Sequence, residues 1–525
     1  MVNTSLADRV GGMLMIGFDG TAIHEAPTDF IAGLSGTILF QRNLCDAVQS
    51  RALVDGLQAA RHSGSPPLLV AVDQEGGSVS RIRPFGTPTP SAMALGASGD
   101  PNLTESIYGL IGEELATLGI NLDIAPVADV IGDRRNTVIG IRSFGAQPEF
   151  VGQHVAAAIR GLHGTNVASA VKHFPGHGDT AVDSHFDLPV IGRDADALRA
   201  VALAPFRAAV AAGVDAVMIA HAVYPSLDPT NAPATFSRVV ITGLLREELG
   251  YDGIVCTDCM QMKAVPTDGP PGMAAVRAVA AGADLVVFSS SLEEAKAAHA
   301  ALRGAVLDGT LDEKQIERSL GRIDAARRAV HVRAADPAAL ERIGSSAHRA
   351  AAREASLRGI TIVRDPQQLV PLRAAAGQRI MLVHFSGGAA TQAEHTPQST
   401  STLGAALSAG PARIHEQVRG VDPAGHEYKQ LLMAAGTATE IVCVTYRAAM
   451  HPLQARAVAD LVLFGKPVIV VMAREPYDID VLPAEASVIA AFGDDESTMS
   501  AVGDVLLGRA QPGGQQPATF ADARS

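Results

Sequence analysis

The sequence predicts an α/β protein in which a TIM-like (β/α)8 barrel is followed by a smaller three-layer α/β sandwich. Three observations predict it. Eight short apolar runs alternate with amphipathic stretches between residues 1 and 335, the pattern of parallel strands buried on both faces. A second, shorter alternation occupies residues 357–525. Between them, residues 336–356 are rich in alanine and arginine and carry no strand signal, which reads as a connecting helix or linker. A chain of 525 residues also exceeds what one hydrophobic core usually supports, so two domains are expected on length alone.

In order, the expected barrel strands are Met13–Ile16, Thr37–Phe40, Leu68–Val72, Leu122–Ala125, Ala168–Val171, Ala216–Ala220, Ile254–Thr257 and Asp284–Phe288. Good helix formers fill the intervals at Ala47–Ala60, Leu103–Leu118, Glu149–Leu162, Asp196–Ala212 and Leu292–Leu307. Several of these stretches stop at glycine (Gly119, Gly213, Gly250), the residue that most readily adopts the left-handed turn ending a helix. The connection between the first two strands is poor in helix signal, so the barrel is expected to be irregular there. In the second unit the expected strands are Ile380–His384, Glu440–Tyr446, Pro467–Met472 and Val488–Phe492. Helices are expected at Thr402–Ala409, Leu453–Leu463 and Thr498–Leu507. The tail from Pro512 is rich in glycine, proline and glutamine and is expected to be loose.

Composition narrows the partners. A net charge of −13 and a pI near 5.6 argue against nucleic acid or an anionic membrane surface, both of which select a basic face. A neutral small-molecule substrate fits better. No apolar run approaches the roughly 20 residues that span a bilayer, and the first ten residues lack a basic-then-apolar leader pattern, so the cytoplasm is the expected compartment. Four scattered cysteines do not make a disulfide framework, and the Cys256-x-x-Cys259 pair lacks a second ligand pair at zinc spacing.

In a barrel, chemistry gathers at the C-terminal ends of the strands. Asp73, Lys172 with His173, His221 and Asp258 each follow an apolar run directly. Any one of them taken alone reads equally well as a strand cap or an ion-pair partner; four together point to a site. Asp258, set among apolar neighbours, has the character of a carboxylate nucleophile. Asp183 and His185 can form a dyad, the carboxylate orienting the imidazole and stabilising its cation while the second ring nitrogen moves a proton. The nearby Gly176 and Gly178 imply a bending loop.

Five segments carry a specific resemblance: V-D-Q-E-G-G-S-V-S-R (72–81), I-G-I-R-S-F-G (139–145), K-H-F-P-G-H-G-D-T (172–180), D-S-H (183–185) and T-D-C-M-Q-M-K-A (257–264). In this order and spacing the chain resembles the β-N-acetylglucosaminidases of glycoside hydrolase family 3. The resemblance implies a retaining mechanism with Asp258 as nucleophile, His185 as acid/base and Asp183 as its orienting partner. It implies sugar-binding roles for Asp73, Arg81, Arg142, Lys172 and His173, with His221 a further pocket candidate, and His177 and Asp179 shaping the loop. The implied substrate is a small GlcNAc-containing saccharide or muropeptide, chitin oligosaccharides standing second, and no cofactor or metal is expected. Cys259 and Thr137 depart from the family pattern, at positions expected not to touch a catalytic atom.

Three other readings stand beside this one. His173, His177, Asp179, Asp183 and His185 are suitable zinc ligands, as in metal-dependent barrel hydrolases. A sugar-binding barrel without activity would share the fold but lose the nucleophile or dyad. A histidine acid/base, neutral in the second step, also admits inorganic phosphate in place of water, which would make the enzyme a phosphorylase.

Overall fold

In the computed structural model, which describes residues 6–515 except 185, 267–268, 331, 374, 388–393 and 395–400, all eight expected runs of the first unit form strands. They are β1 (Leu14–Ile16), β2 (Gly36–Leu39), β3 (Leu69–Val72), β4 (Leu122–Asp123), β5 (Ala168–Phe174), β6 (Ala216–Ile219), β7 (Ile254–Cys259) and β8 (Leu285–Phe288). Each pairs in parallel with its successor, and β8 returns to β1 with Leu14 opposite Val286, which closes the barrel. Between β1 and β2 there is only a short 3-10 turn and the four-residue helix Thr28–Ile31, the irregularity expected there. Gly119, Gly213 and Gly250 all have positive φ, consistent with their helix-stopping role.

The stretch expected as one helix over Asp196–Ala212 is broken. An α-turn at Ala195–Ala197 passes into a π-helical segment, Leu198–Ala202, before Ala204–Ala211 resumes the α-helix. Pro205 lies at the start of that last helix, where its missing N–H costs nothing.

Helix Ser346–Gly359 runs through most of the connecting region and leads into a six-stranded sheet: β9 (Thr361–Arg364), β10 (Arg379–Ser386), β11 (Arg413–Gly420), β12 (Glu440–Thr445), β13 (Val468–Met472) and β14 (Ser487–Ala490). The order is β11-β10-β12-β13-β14-β9, parallel except for the antiparallel β9 edge. The four strands expected from sequence are its centre. The two not expected are its edges, for a physical reason: β11 reads R-I-H-E-Q-V-R-G and is largely exposed, so it lacks the apolar run that marks a doubly covered strand.

Alternate residues of the central strands serve opposite faces. Ile380, Leu382, Val442 and Val471 pack under helices Ser401–Ser408 and Glu496–Leu506. Met381, Val383, Cys443 and Val470 share a cluster with Val138, Ile139 and Ile141 of the barrel. The second unit is thus cemented onto a barrel loop. The described beginning of the tail is also held, with Gly513, Gly514 and Gln515 N–H groups donating to Leu357, Ile360 and Ala97 carbonyls, contrary to the expected loose end; the rest lies outside the described residues. Among the described residues no helix is long and apolar enough to cross a membrane.

Candidate active site

A cavity of about 490 Å³ opens at the C-terminal ends of the barrel strands. Asp73, Arg81, Arg142, Lys172, His173 and Asp258 all line it, as do His177, Ser184 and Cys259. Two irregularities make this convergence workable. In a regular strand adjacent side chains point to opposite faces. The register shifts between Val171 and Phe174 in β5, and again between Cys256 and Cys259 in β7. Local slips of this kind re-aim side chains, and here neighbours Lys172 and His173, and neighbours Asp258 and Cys259, reach the same cavity.

The binding side is a chain of opposed charges. Lys172 Nζ lies 2.8 Å from Asp73 Oδ1 and 2.6 Å from Glu75 Oε1. Arg142 clasps Glu75 through two 2.8 Å hydrogen bonds, while Arg81 Nη2 stands 3.8 Å from Asp73 Oδ2. Burial alone would push the Glu75 carboxyl up and the Lys172 ammonium down. The opposite charges reverse both: Arg142 and Lys172 hold Glu75 well below the usual carboxylate range, and Asp73 and Glu75 raise Lys172. Arg81 Nε is buried and donates to no group among the described residues, so a donor is left for an occupant.

Asp129, fully buried, organises the next group. Its Oδ2 is 2.7 Å from His173 Nδ1, and its Oδ1 accepts the His177 backbone N–H at 2.6 Å. Against its burial, His173 holds Asp129 below the usual carboxylate value. The ionised acceptor requires the proton on His173 Nδ1, which leaves Nε2 as the nitrogen available to a ligand. Neither Glu75 nor Asp129 stood out in the sequence. Asp129 closes the apolar stretch I-A-P-V-A beyond β4, and Glu75 lies two residues past Asp73, so the strand-end criterion that found Asp73 reaches both when carried a few residues into the loops.

Asp258 sits at the end of β7 with Oδ1 accepting the Cys259 N–H at 2.7 Å. Cys259 therefore does touch the candidate nucleophile, through its backbone, and its Sγ lies 2.8 Å from Ser289 Oγ; this corrects the expectation of no contact. His221 also needs correction as a pocket residue. It is buried outside the cavity lining, with Nδ1 2.7 Å from Thr235 Oγ1 and Nε2 3.0 Å from the Cys259 carbonyl. A carbonyl only accepts, so His221 Nε2–H donates to it. His221 thus braces the backbone one residue beyond Asp258.

Asp183 begins a tight turn, its carbonyl accepting the N–H groups of Phe186 and Asp187. The turn docks on the chain after β7, with Ala264 N–H donating to Ser184 O and Lys263 Nζ 5.7 Å from the Phe186 ring centre. Asp183 is thereby carried beside the segment that follows Asp258. His185 lies outside the described residues. Of the ligands considered for zinc, His173 is engaged by Asp129 and Asp179 by Arg193 at 2.6 Å.

The second unit reaches this site through the loops that carry it. Arg447 pairs with Glu475 through two 2.7 Å contacts and donates to the Thr137 carbonyl at 3.2 Å. Gly140, at φ +45°, passes so close to Glu475 that a Cβ would stand 1.9 Å from Oε1. Ser78 Oγ, in the loop after β3, donates at 3.0 Å to Glu394, which is ion-paired with Arg474.

A closed parallel barrel whose mouth gathers the Asp258 carboxylate and a set of paired charged donors and acceptors around one cavity has the make-up of an enzyme that acts on a hydrogen-bonding substrate. Residues 5–326 match the glycosyl hydrolase family 3 N-terminal domain. A β-hexosaminidase A from Pseudoalteromonas piscicida is 30% identical over 93% of this chain and 89% of its own length. A shorter β-hexosaminidase from Stenotrophomonas maltophilia is 39% identical over 52% of this chain and 82% of its own. The structure of a glycoside hydrolase family 3 β-N-acetylglucosaminidase from Paenibacillus sp. str. FPU-7 superimposes with a TM-score of 0.90 at 37% identity, covering 98% of both chains. The chain belongs to glycosyl hydrolase family 3.

Proposed function

We propose that the protein is a retaining exo-β-N-acetylglucosaminidase that removes terminal β-linked GlcNAc. The reading rests chiefly on Asp258 lining the same cavity as Asp73, Arg81, Arg142, Lys172 and His173, within a chain that is similar over its whole length to a β-N-acetylglucosaminidase. In the first step a carboxylate oxygen of Asp258 bonds to the anomeric carbon as the glycosidic C–O bond breaks, and His185 gives its proton to the departing oxygen. In the second, His185 takes a proton from water, whose oxygen attacks the anomeric carbon and releases Asp258. Asp183 orients His185 and stabilises its cation.

The paired charges supply binding and discrimination. A site built to hydrogen-bond hydroxyls rejects analogues that lack them, because its buried polar groups are then unpaired. Muropeptide fragments are the favoured natural substrate, with chitin oligosaccharides second. Arg42 and Lys263, which also line the cavity, support a leaving group that carries carboxylates.

Trapping with a fluorinated GlcNAc substrate followed by peptide mapping tests the reading. Label on Asp258 is expected; label on any other residue rejects the mechanism. Water is taken as the acceptor, so turnover in phosphate buffer should yield free sugar and no sugar 1-phosphate.

A further inference from the structure

We propose that His177, assigned by its sequence context only to shaping a loop, is a substrate-contacting residue that hydrogen-bonds a hydroxyl group of the bound pyranose. The inference rests on the saccharide-binding reading and adds a residue to it.

The backbone and the side chain of His177 are treated differently by the fold. Its N–H donates to Asp129 Oδ1 at 2.6 Å, and its carbonyl accepts from Asn136 Nδ2 at 2.8 Å. The following residue is equally confined. Gly178 O accepts the N–H groups of Gly132 and Asp133, and a Cβ on Gly178 would stand 1.7 Å from the Val130 carbonyl oxygen. The main chain is therefore pinned from both sides, which fixes where the imidazole sits.

That imidazole has no such engagement. The residue is 2% exposed and lines the cavity, yet neither Nδ1 nor Nε2 has a hydrogen-bond partner among the described residues. Leaving a buried polar group unsatisfied costs on the order of 1–3 kcal/mol, and such groups in a native fold call for an explanation. A purely loop-shaping residue gives none, because any apolar side chain of similar size would fill the space without that cost. His154 differs in degree: it is equally buried and its Nε2 is also unpartnered among the described residues, but its Nδ1 is 2.7 Å from Thr104 Oγ1 and its ring stacks on Phe144, so only one of its two ring nitrogens is left over.

The chemistry of the ring identifies its partner. Burial, with His173 adjoining at a ring separation of 5.9 Å, lowers the His177 pKa to about 4, so the imidazole is neutral at physiological pH. A neutral imidazole has one N–H donor and one lone pair. A sugar hydroxyl has the same complement. The ring stands next to His173, on the gripping side, within the electrostatic reach of Asp258, on the reacting side. A pyranose with its anomeric carbon at Asp258 and its far hydroxyls on Lys172 and His173 would lay a ring edge against it.

The test uses the full chain and an aryl N-acetyl-β-glucosaminide, with free GlcNAc as the binding probe. His177→Leu should lower kcat/KM by about 10- to 100-fold and weaken GlcNAc binding in step, as loss of a buried hydrogen bond predicts. Its melting temperature should match or exceed that of the unaltered protein, because no internal hydrogen bond is removed. His177→Asn, which keeps a neutral donor and acceptor, should recover part of the loss. A Leu variant with kcat/KM and GlcNAc affinity within twofold of the unaltered protein overturns the proposal, as does a loss fully accounted for by unfolding. Failure of the unaltered protein to cleave the aryl glycoside or bind GlcNAc would instead strike the saccharide reading, and this inference with it.

Discussion

Glu75 and Arg142 are joined by two parallel hydrogen bonds, Nε to Oε2 and Nη2 to Oε1, each 2.8 Å long and both side chains 4% exposed. Bidentate geometry of this kind is the strongest form of the carboxylate–guanidinium pair. It joins the loop after β3 to the I-G-I-R segment and, through Lys172, to the end of β5.

Removing one member of this group should cost far more than the pair contributes net. Glu75→Gln leaves Arg142 and part of the Lys172 charge uncompensated in the interior, a change worth about 3–5 kcal/mol. Urea unfolding should register that loss, and KM for an aryl N-acetylglucosaminide should rise because Arg142 and Lys172 lose their placement.

Acid should destabilise the protein through its buried histidines. Burial lowers His154, His177 and His384 each to about 4, against an ordinary value near 6.5. Between those values the unfolded chain binds protons at these sites that the native state does not. Stability therefore falls as pH drops from about 6.5 toward 4, by on the order of a few kcal/mol per residue at most. Thermal unfolding across pH 4–7 should show this slope, and His154→Gln should make it shallower.

The second unit should act on substrate binding from a distance. Arg447→Met releases the Thr137 carbonyl and leaves buried Glu475 without its bidentate partner, which should cost about 3 kcal/mol of stability. Since the loop so loosened delivers Arg142, KM should rise several-fold while kcat changes little. Steady-state kinetics on folded protein would show that split; an equal fall in kcat would contradict it.

His221 should behave as a positioning residue. With the Nε2–H bond to the Cys259 carbonyl removed in His221→Phe, the end of β7 can shift, and small displacements of a nucleophile are expensive. The expected result is a fall in kcat of roughly tenfold or more with KM nearly unchanged. His221→Gln, which can still donate to that carbonyl, should recover part of it.

Much of the architecture was legible in the sequence because buried parallel strands must be apolar on both faces. Runs such as Leu69–Val72 and Ile254–Thr257 announce themselves, and the polar residues that end them, Asp73 and Asp258, fall at the barrel mouth by construction. The edge strand Arg413–Gly420 was not legible, since one exposed edge removes the need for an apolar run. The break within Asp196–Ala212 was also hidden, because the apolar period continues through the π-helical segment.

What the sequence by itself determined is the set of chemical groups and where they lie along the chain: carboxylates at Asp73 and Asp258 after apolar runs, Lys172 and His173 at a strand end, and Asp183 with His185 as a candidate dyad further on. Only the tertiary structure decided which of these face the cavity. Closure of the barrel brings Glu75 against Arg142, 67 positions away, and Asp129 against His173, 44 away. It buries His221 beneath the Cys259 backbone and turns His177 inward. Local periodicity sets which face of a strand a residue takes, but a pairing across tens of residues depends on how strands register and where that register slips, as it does in β5 and β7.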